Sequence, residues 1–288
     1  MSSASGPPKP STNGPTFLMC PPTLYDVNYV INPWMVGNVN RSSRQCATEQ
    51  WTLLHGALGK IANVLLVEPQ PGSPDMVFTA NAGLVHDGIV ALSSFHHLER
   101  QGEEAHFRRW FQESGFVIRA VPRGTPFEGE GDALFEPDGS RLWAGHGPRT
   151  RQISHGQLTD LWNIEVVSLR LVDPRFYHLD TCFCPLSKGE VMYYPAAFDD
   201  ESQKRIEERY PKAKRICVSE QDALRFACNA INVGKTVVLN QIGAELSAQL
   251  QLLGYHVIQV ELTEFMKAGG AAKCLVLRLS EVDVTHRA

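Results

Sequence analysis

The chain has 288 residues, of which 43% are hydrophobic and 20% charged, and its formal net charge is -4. This length is enough for a large hydrophobic core in one large domain or two ordinary ones. The mild charge and the lack of a long basic run argue against nucleic acid as a partner and favour a small molecule, and the lack of an apolar run of about 18 residues argues against a membrane span.

The first 15 residues are rich in Ser, Pro and Gly and lack the apolar core of a signal peptide. They predict a disordered tail at 1–15, followed by a single domain at 16–288. The seven cysteines follow no spacing framework. Without an export signal, this pattern predicts reduced thiols and a cytoplasmic protein.

The first repeating unit follows a strand predicted at 63–68. Residues 83–92 read as a hairpin with its turn at His86-Asp87-Gly88, because a short polar turn interrupts an apolar run. Residues 98–114 predict a helix that Gly115 caps, and 116–121 predict a strand. The apolar face of that helix is predicted to contain Leu98, Phe107, Trp110 and Phe111.

This order of hairpin, helix and strand recurs along the chain. Further hairpins are predicted at 132–145, 182–195 and 230–240, and the strand at 274–280 begins a fifth unit that the N-terminal strand at 15–20 completes. The intervening helices are predicted at 151–162, 199–210 and 243–253, and further strands at 165–172 and 256–262. A period of roughly fifty residues marks a closed array, so we predict an α/β fold of five units closed in a ring.

The stretch Gly234-Lys235-Thr236 matches the last three positions of a phosphate-binding loop. Such a loop needs a glycine five residues before Gly234, where this chain has Asn229. Gly234-Lys235 also occupies the turn position of the fourth predicted hairpin. We therefore interpret it as a hairpin turn and predict no nucleotide site.

A small-residue segment with one or two polar groups precedes the first strand of each unit. In a ring of five units, these segments converge near the axis, where a site with several polar groups is expected. The residues predicted to meet there are Asn81, Glu128, Asp132, His178, Asp180, Asn229 and Cys274.

A cysteine, a histidine and carboxylates in one place suggest a thiol nucleophile with a general acid/base. Two alternatives stay open from the residues alone. Cys274 and His178 are each compatible with a purely structural role in the core. The second alternative is a zinc site formed by His178, Cys182 and Cys184, although their spacing is not that of a standard site. We expect neither a metal nor a cofactor.

Five segments in a fixed order resemble the guanidine-modifying superfamily, which includes arginine deiminases, dimethylargininases and amidinotransferases. They are "MCPPTLYDVNYVINPWM", "FTANAG", "FEGEGDALF", "HLD" and "GGAAKC", and the resemblance extends from about Met19 to Leu279. It implies a five-bladed α/β propeller, the pentein fold, with pseudo-fivefold repeats. "INPWM" and the Asn of "FTAN" most resemble the arginine dihydrolase domain of cyanobacterial arginine-to-ornithine enzymes. Those enzymes have a second domain after the cysteine, whereas this chain ends fourteen residues after Cys274, so the second activity is expected to be absent.

The resemblance implies roles for individual residues. Cys274 would attack the guanidino carbon, His178 would act as acid and base, and Glu128 and Asp180 would accept hydrogen bonds from the guanidinium. Glu130 departs from the small residue usual in related chains, which leaves open whether Glu128 or Glu130 faces the site. Asn81, where arginine deiminases have Asp, would retain neutral citrulline for a second hydrolysis.

Three more residues are candidates for binding the amino-acid end of the substrate. Arg100 would clamp the α-carboxylate with two hydrogen bonds, or else is a solvated helix charge. Asn32 would lie beside the α-amino group, and Arg149 is a further candidate for the same pocket.

The predicted reaction is hydrolysis of arginine to ornithine, carbon dioxide and two ammonia. Alternatives within the superfamily are an arginine deiminase, a dimethylargininase or other modified-arginine or citrulline hydrolase, and an amidinotransferase. A catalytically silent arginine-sensing module is a third class, against which the presence of Cys274, His178 and Asp180 argues. A homo-oligomer is compatible with the sequence.

Overall fold

The computed structural model describes residues 14–120 and 124–280. Most of the tail predicted at 1–15 therefore lies outside the described residues, as does Val121 of the strand predicted at 116–121. Gly14 and Pro15 lie within them. Their carbonyl oxygens accept hydrogen bonds from the side chain and the backbone of Asn63, at 3.3 and 2.9 Å. These two residues thus contact a neighbouring strand, and the extent of the predicted tail stays a prediction.

The strands of the described residues form five three-stranded sheets of one pattern. In each sheet, two antiparallel strands pair as neighbours, and a third strand pairs parallel with the second of them. In chain order the strands are β1 (Thr16–Met19), β2 (Asn63–Leu66), β3 (Gly83–His86), β4 (Ile89–Leu92), β5 (Val117–Ala120), β6 (Ala133–Phe135), β7 (Arg141–His146), β8 (Glu165–Arg170), β9 (Phe183–Pro185), β10 (Val191–Tyr193), β11 (Arg215–Cys217), β12 (Ile231–Val233), β13 (Thr236–Leu239), β14 (His256–Gln259) and β15 (Leu277–Ser280). The sheets are β3-β4-β5, β6-β7-β8, β9-β10-β11, β12-β13-β14 and β15-β1-β2.

Helices connect the second and third strands of every sheet, since two parallel strands need a crossover connection. The connecting helices are α1 (Arg44–Leu58), α2 (Leu98–Gln101), α3 (Glu103–Glu113), α4 (Ile153–Trp162), α5 (Asp200–Arg209) and α7 (Ala244–Leu252). Two short helices, α6 (Glu220–Ala223) and α8 (Thr263–Met266), lie before β12 and β15. The sequence pattern did not predict α1, which Ser43 caps by accepting a hydrogen bond from the Cys46 amide at 3.3 Å.

The predicted repeat is confirmed in its strand order and in its fifth unit. The N-terminal strand β1 pairs with both β15 and β2, so the two ends of the chain complete one sheet. Gly234 and Lys235 form the two-residue turn between β12 and β13, and Gly234 has a φ of 53°. The hairpin interpretation of the GKT stretch is therefore confirmed.

The prediction of one continuous helix at 98–114 is wrong. The structure has two helices there, α2 and α3, which meet at Gly102. Leu98 is 79% exposed, whereas Phe107 and Phe111 are buried as expected. The break lets Arg100 take the inward position, where Glu103 neutralises it.

The hydrophobic core lies between neighbouring sheets. The rings of Trp143 and Phe183, from adjacent sheets, have centroids 5.1 Å apart, and one buried cluster contains residues of three consecutive sheets. The backbone bridge between Ser94 and Phe127 also joins adjacent units. This packing fixes each sheet against the next and brings the starts of their first strands together.

Candidate active site

The first strand of each sheet begins beside a buried polar residue. Because all five first strands start at the same end of their sheets, their preceding segments are gathered in one place. The five residues concerned are at most 2% exposed; they are Asn81, Asp132, Asp180, Asn229 and Cys274. Contacts join Asn81, Glu128, His178 and Asp132 in one group, and hydrogen bonds join Asp180, Asn229 and Cys274 in another. The two groups adjoin at one short turn, which His178 begins and which contains Asp180.

Cys274 lies between a carboxylate and an amide. Its Sγ lies 3.3 Å from Asp180 Oδ2 and 3.1 Å from Asn229 Nδ2. Burial, together with the Asp180 charge, raises the pKa of the Cys274 thiol well above its usual range. The resting thiol is therefore protonated, and it needs a positive charge nearby to ionise.

His178, Glu128 and Arg149 form a chain of short polar contacts, with Glu128 in the middle. Its Nε2 lies 2.7 Å from Glu128 Oε2, and the same oxygen accepts from Arg149 Nη1 at 3.0 Å. Burial by itself would raise the pKa of Glu128, but Arg149 and the His178 hydrogen bond outweigh it and hold that pKa well below the usual range. Glu128 is thus ionised and orients the imidazole, while the backbone N–H of His96 occupies its Oε1 at 3.1 Å.

Asp132 is a second carboxylate near the same imidazole. Its Oδ2 lies 4.0 Å from His178 Nε2 and accepts from the Thr150 hydroxyl at 2.6 Å, and its Oδ1 accepts from the Leu179 amide at 3.0 Å. Burial raises the pKa of Asp132 to about 6. These contacts fix the turn that carries His178 and Asp180.

Asp180 is the carboxylate best placed to receive a cation. It is completely buried, and its Oδ1 has no hydrogen-bond partner within the described residues. Burial raises the pKa of Asp180 to about 7, against the lowering effect of Lys273. A buried oxygen without a donor is costly, and a bound guanidinium would supply that donor.

Asn81 is oriented by Arg100. Arg100 Nη1 donates to Asn81 Oδ1 at 2.8 Å, so the amide nitrogen of Asn81 is left as the donor, and it contacts the carbonyl oxygen of Glu128 at 3.3 Å. A Cβ placed on Gly131 would lie 2.2 Å from this nitrogen and 3.4 Å from the His178 ring. The absence of a side chain at Gly131 therefore makes room for Asn81.

Arg100 is 3% exposed, so its alternative interpretation as a solvated helix charge is wrong. Its Nε and Nη2 hold Glu103 at 3.0 and 2.8 Å, and Nη2 also donates to the Asp75 carbonyl at 3.2 Å. Because Nη1 also donates to Asn81, these contacts engage four of the five guanidinium hydrogens of Arg100 and leave one for a ligand. A clamp of two hydrogen bonds on a carboxylate would require Arg100 to release one of these partners.

The other two predicted binding residues meet at the loop before α1. Asn32 accepts from the amides of Trp34 and Met35 and donates to the Ala268 carbonyl at 2.9 Å. Arg149 donates to the Ile31 carbonyl at 3.0 Å. Arg149 thus connects Glu128 with the residue next to Asn32.

Glu128 and Glu130 have different partners in the structure. Glu130 Oε2 lies 2.7 Å from Lys273 Nζ and accepts from the Arg278 amide at 2.9 Å. His178, by contrast, pairs with Glu128. The extra carboxylate at 130 is therefore neutralised by the lysine that precedes Cys274, a pairing that the sequence did not indicate.

Asp75 is a further buried carboxylate that the sequence analysis missed. Its Oδ2 accepts from the Tyr29 hydroxyl at 2.9 Å, and its Oδ1 has no hydrogen-bond partner within residues 14–120 and 124–280. The sequence signal was slight, because an aspartate after Ser-Pro is a common turn residue. Its nearness to Arg100 is visible only in the folded chain.

A cavity of about 490 Å³ lies at the opposite, hairpin-turn end of the sheets. Its lining includes Asp87, Gly234, Glu130 and Lys273, but none of the seven converging residues. The Glu130–Lys273 pair thus borders the cavity, and Lys273 immediately precedes Cys274 in the chain.

Cys182 and Cys184 belong to a hydrophobic cluster between sheets. The Cys182 thiol lies 3.6 Å from the Leu179 carbonyl oxygen, and that of Cys184 lies 3.7 Å from the Ala230 carbonyl oxygen. Among the described residues, no three His, Cys, Asp or Glu side chains are arranged to hold one metal ion. No helix in the same residues is long and apolar enough to cross a membrane.

Replacing Glu128 by glutamine is expected to destabilise the protein by about 3 kcal/mol at pH 7, because buried Arg149 would lose its counter-charge. Since the folded-state pKa of Glu128 lies below the usual 4.5, this stabilisation is fully present above pH 4.5 and is lost as the pH falls through the folded-state value. Urea unfolding of both proteins at a series of pH values measures it. An equal difference at neutral and strongly acidic pH would show that the Glu128 charge is not the cause.

Three comparisons place this site among known proteins. A family model described as "N,N dimethylarginine dimethylhydrolase, eukaryotic" matches residues 35–281. The bifunctional arginine dihydrolase/ornithine cyclodeaminase ArgZ of Synechocystis is 56% identical over 264 residues, which cover 92% of this chain but 37% of ArgZ. The chain thus spans little more than a third of that relative's length.

Solved structures of the N-terminal domain of ArgZ match almost completely. One is a cysteine-to-serine variant bound to substrate, and another is an asparagine-to-serine variant covalently bound to a reaction intermediate. Each has a TM-score of 0.92 and 55% identity, and covers 93% of this chain and 98% of the solved one.

Proposed function

The chain belongs to the family of N,N-dimethylarginine dimethylhydrolases, and from that premise we propose that it hydrolyses arginine to ornithine, carbon dioxide and two ammonia. One observation carries the proposal. The thiol of Cys274 contacts a buried carboxylate, Asp180, whose second oxygen has no donor among residues 14–120 and 124–280. A histidine paired with Glu128 lies two residues before that carboxylate. This is the set that thiol attack on a guanidinium requires.

The first half-reaction begins with the cation. The substrate guanidinium donates hydrogen bonds to Asp180, and its positive charge favours the Cys274 thiolate, whose proton passes to His178. The sulfur forms a bond to the guanidino carbon, and ammonia leaves with a proton from His178. Glu128 stabilises the protonated imidazole; its oxygens are already engaged by His178, Arg149 and His96, which favours this role over guanidinium binding.

Water then releases the covalent intermediate. His178, now neutral, takes a proton from water that attacks the thiouronium carbon, the carbon–sulfur bond breaks, and citrulline is formed with regeneration of the thiolate. Asn81 offers its amide N–H to the neutral ureido oxygen, so citrulline is retained. A second attack and hydrolysis release ammonia, carbon dioxide and ornithine.

The relatives support the two central assignments. The asparagine and the cysteine substituted in the two ArgZ structures are separated by the same number of residues as Asn81 and Cys274. The variant bound to substrate lacks the cysteine, and the variant covalently bound to an intermediate lacks the asparagine. We assign Cys274 as nucleophile and Asn81 as the residue that controls the fate of the intermediate.

The amino-acid end of the substrate is proposed to lie toward Arg149 and Asn32. Arg149 provides positive charge for the α-carboxylate, with Arg100 contributing its remaining N–H. Asp75 Oδ1, which has no hydrogen-bond partner in the described part of the chain, is an acceptor for the α-ammonium group. Asn32 is proposed to hold the loop that covers this end.

The fold supports the same proposal. We propose that the five sheets are the blades of a five-bladed α/β propeller with pseudo-fivefold repeats, since each contributes a buried polar residue to one axial site. The domain at 16–288, the cytoplasmic location and a homo-oligomer stay predictions; light scattering of the purified protein measures the oligomeric state.

Hydrolysis of dimethylarginine is a second candidate, because the matching family model bears that description. It uses the same nucleophile and differs in the leaving amine. The two substrates therefore have to be compared directly on one preparation.

The test is incubation of the purified protein with arginine or dimethylarginine, followed by amino-acid and ammonia analysis. Arginine is expected to give ornithine and ammonia in a ratio of about one to two, by the stoichiometry of two successive hydrolyses at one nucleophile. Citrulline as the main product would indicate a deiminase, and turnover that requires an added amine would indicate an amidinotransferase. No turnover of either substrate would contradict the proposal.

A further inference from the structure

Asn229 uses its whole side-chain hydrogen-bonding capacity around Cys274. It is completely buried. Its Oδ1 accepts from the backbone amides of Ala271 and Cys274, each at 3.1 Å. Its Nδ2 donates to the Asp180 carbonyl and to the Cys274 sulfur, each at 3.1 Å. Two acceptor sites and two donor hydrogens are thus all engaged.

The orientation of this carboxamide is fixed by its partners. A backbone N–H can only donate, so the end of Asn229 that faces Ala271 and Cys274 N must be the oxygen. The end that faces the sulfur is therefore the NH₂ group. This contact is a donor to sulfur in every protonation state of the thiol.

The sulfur has two polar neighbours with opposite preferences. Ionised Asp180 can only accept, so it favours the protonated thiol, whereas Asn229 can only donate at this end and so favours the thiolate. Burial and Asp180 raise the pKa of Cys274, and the Asn229 hydrogen bond acts against them. The hydrogen bond from Asn229 to the sulfur is made by the protein alone and does not depend on a substrate cation.

The backbone of Asn229 supports the same contact. Its carbonyl oxygen accepts from the Lys273 amide at 3.2 Å. Together with the two amides bound by Oδ1, three N–H groups of the segment 271–274 are therefore anchored on one residue. The position of the sulfur relative to Asp180 depends on this anchoring.

We propose that Asn229 is a positioning residue that fixes the Cys274 sulfur and stabilises its thiolate form. The inference rests on the proposed function, in which Cys274 is the nucleophile. There, sulfur is an attacking anion in one half-reaction and a leaving anion in the next. One fixed donor would assist both, because each step passes through negative charge on sulfur.

The test is the pH dependence of Cys274 alkylation in Asn229→Asp. Aspartate keeps the shape and the acceptor oxygen but replaces the donor with an acceptor. Each protein is treated with iodoacetamide from about pH 6 to about pH 10, and the peptide containing Cys274 is quantified by mass spectrometry. The pH profile of the alkylation rate is expected to be displaced upward by about one pH unit or more in Asn229→Asp, so that at each pH in this range the variant reacts about tenfold more slowly than wild type.

Asn240→Asp is the matched control. Asn240 is also buried, accepts from the Leu262 amide at 3.0 Å, and donates to the Arg225 carbonyl at 2.9 Å and to the Met266 sulfur at 3.1 Å. The same substitution there should leave the Cys274 alkylation profile unchanged. A shift common to both variants would mean general loosening of the fold and would overturn the proposal.

A second variant covers the case in which Asn229→Asp does not fold. Asn229→Ser retains a shorter donor and is expected to show a smaller upward shift. A profile that coincides with wild type in whichever variant folds would overturn the role of Asn229. Alkylation requires no substrate, so this outcome differs from failure of the wild type to turn over arginine, which would contradict the proposed function alone.

Discussion

Replacing Cys274 by serine is expected to lower arginine turnover by at least about ten thousandfold, while the fold and arginine binding persist. A serine hydroxyl ionises far less readily than a thiol, and the groups around it here are Asp180 and Asn229. Neither is a base strong enough to activate it. Amino-acid analysis measures turnover, and calorimetry measures binding.

Cys184→Ser is the control for that experiment. Cys184 is also buried, but it lies in the hydrophobic cluster between sheets. Its replacement should change stability modestly and leave turnover nearly intact. Full activity in Cys274→Ser would remove Cys274 as the nucleophile, whatever the substrate.

Replacing Asn81 by aspartate is expected to make citrulline accumulate. Arg100 already occupies Oδ1 of Asn81, so the group that the wild type offers to a bound ligand is the amide donor. A carboxylate would still attract cationic arginine but would offer neutral citrulline no donor. Since each 1.4 kcal/mol is about tenfold, losing a few kcal/mol in this contact would divert most of the flux.

A time course of citrulline, ornithine and ammonia on both proteins tests this prediction. Asn240→Asp serves again as the control for placing an aspartate in a buried amide position. If wild type releases mainly citrulline, the deiminase alternative replaces the dihydrolase. If Asn81→Asp still forms only ornithine, another residue retains the intermediate.

Much of the fold was predictable because its signals are local. Each hairpin is marked by an apolar run with a turn residue of the right conformation, as at Asp87-Gly88 and Gly234, whose φ values are all positive. The family resemblance, carried by short motifs in a fixed order, is confirmed by the family model and by ArgZ. By contrast, α1 was missed, although a serine cap and a buried apolar stripe mark it.

The convergence of the polar residues was also contained in the sequence, because a repeat that closes on itself must bring equivalent positions together. The sequence by itself thus determined the repeat and the number of units, and it supplied the seven candidate residues of the proposed site.

Only the tertiary structure decided how those residues are paired. Glu128 and Glu130 are two residues apart, yet one orients His178 while the other neutralises Lys273. Arg100 has the pattern of an exposed helix residue, yet it is buried against Glu103 and sets the direction of the Asn81 amide. A buried charge pairs with an opposite charge that lies close to it in the folded chain, since an unpaired buried charge costs several kcal/mol. That proximity joins segments far apart in the chain, so no local pattern of residues can specify it.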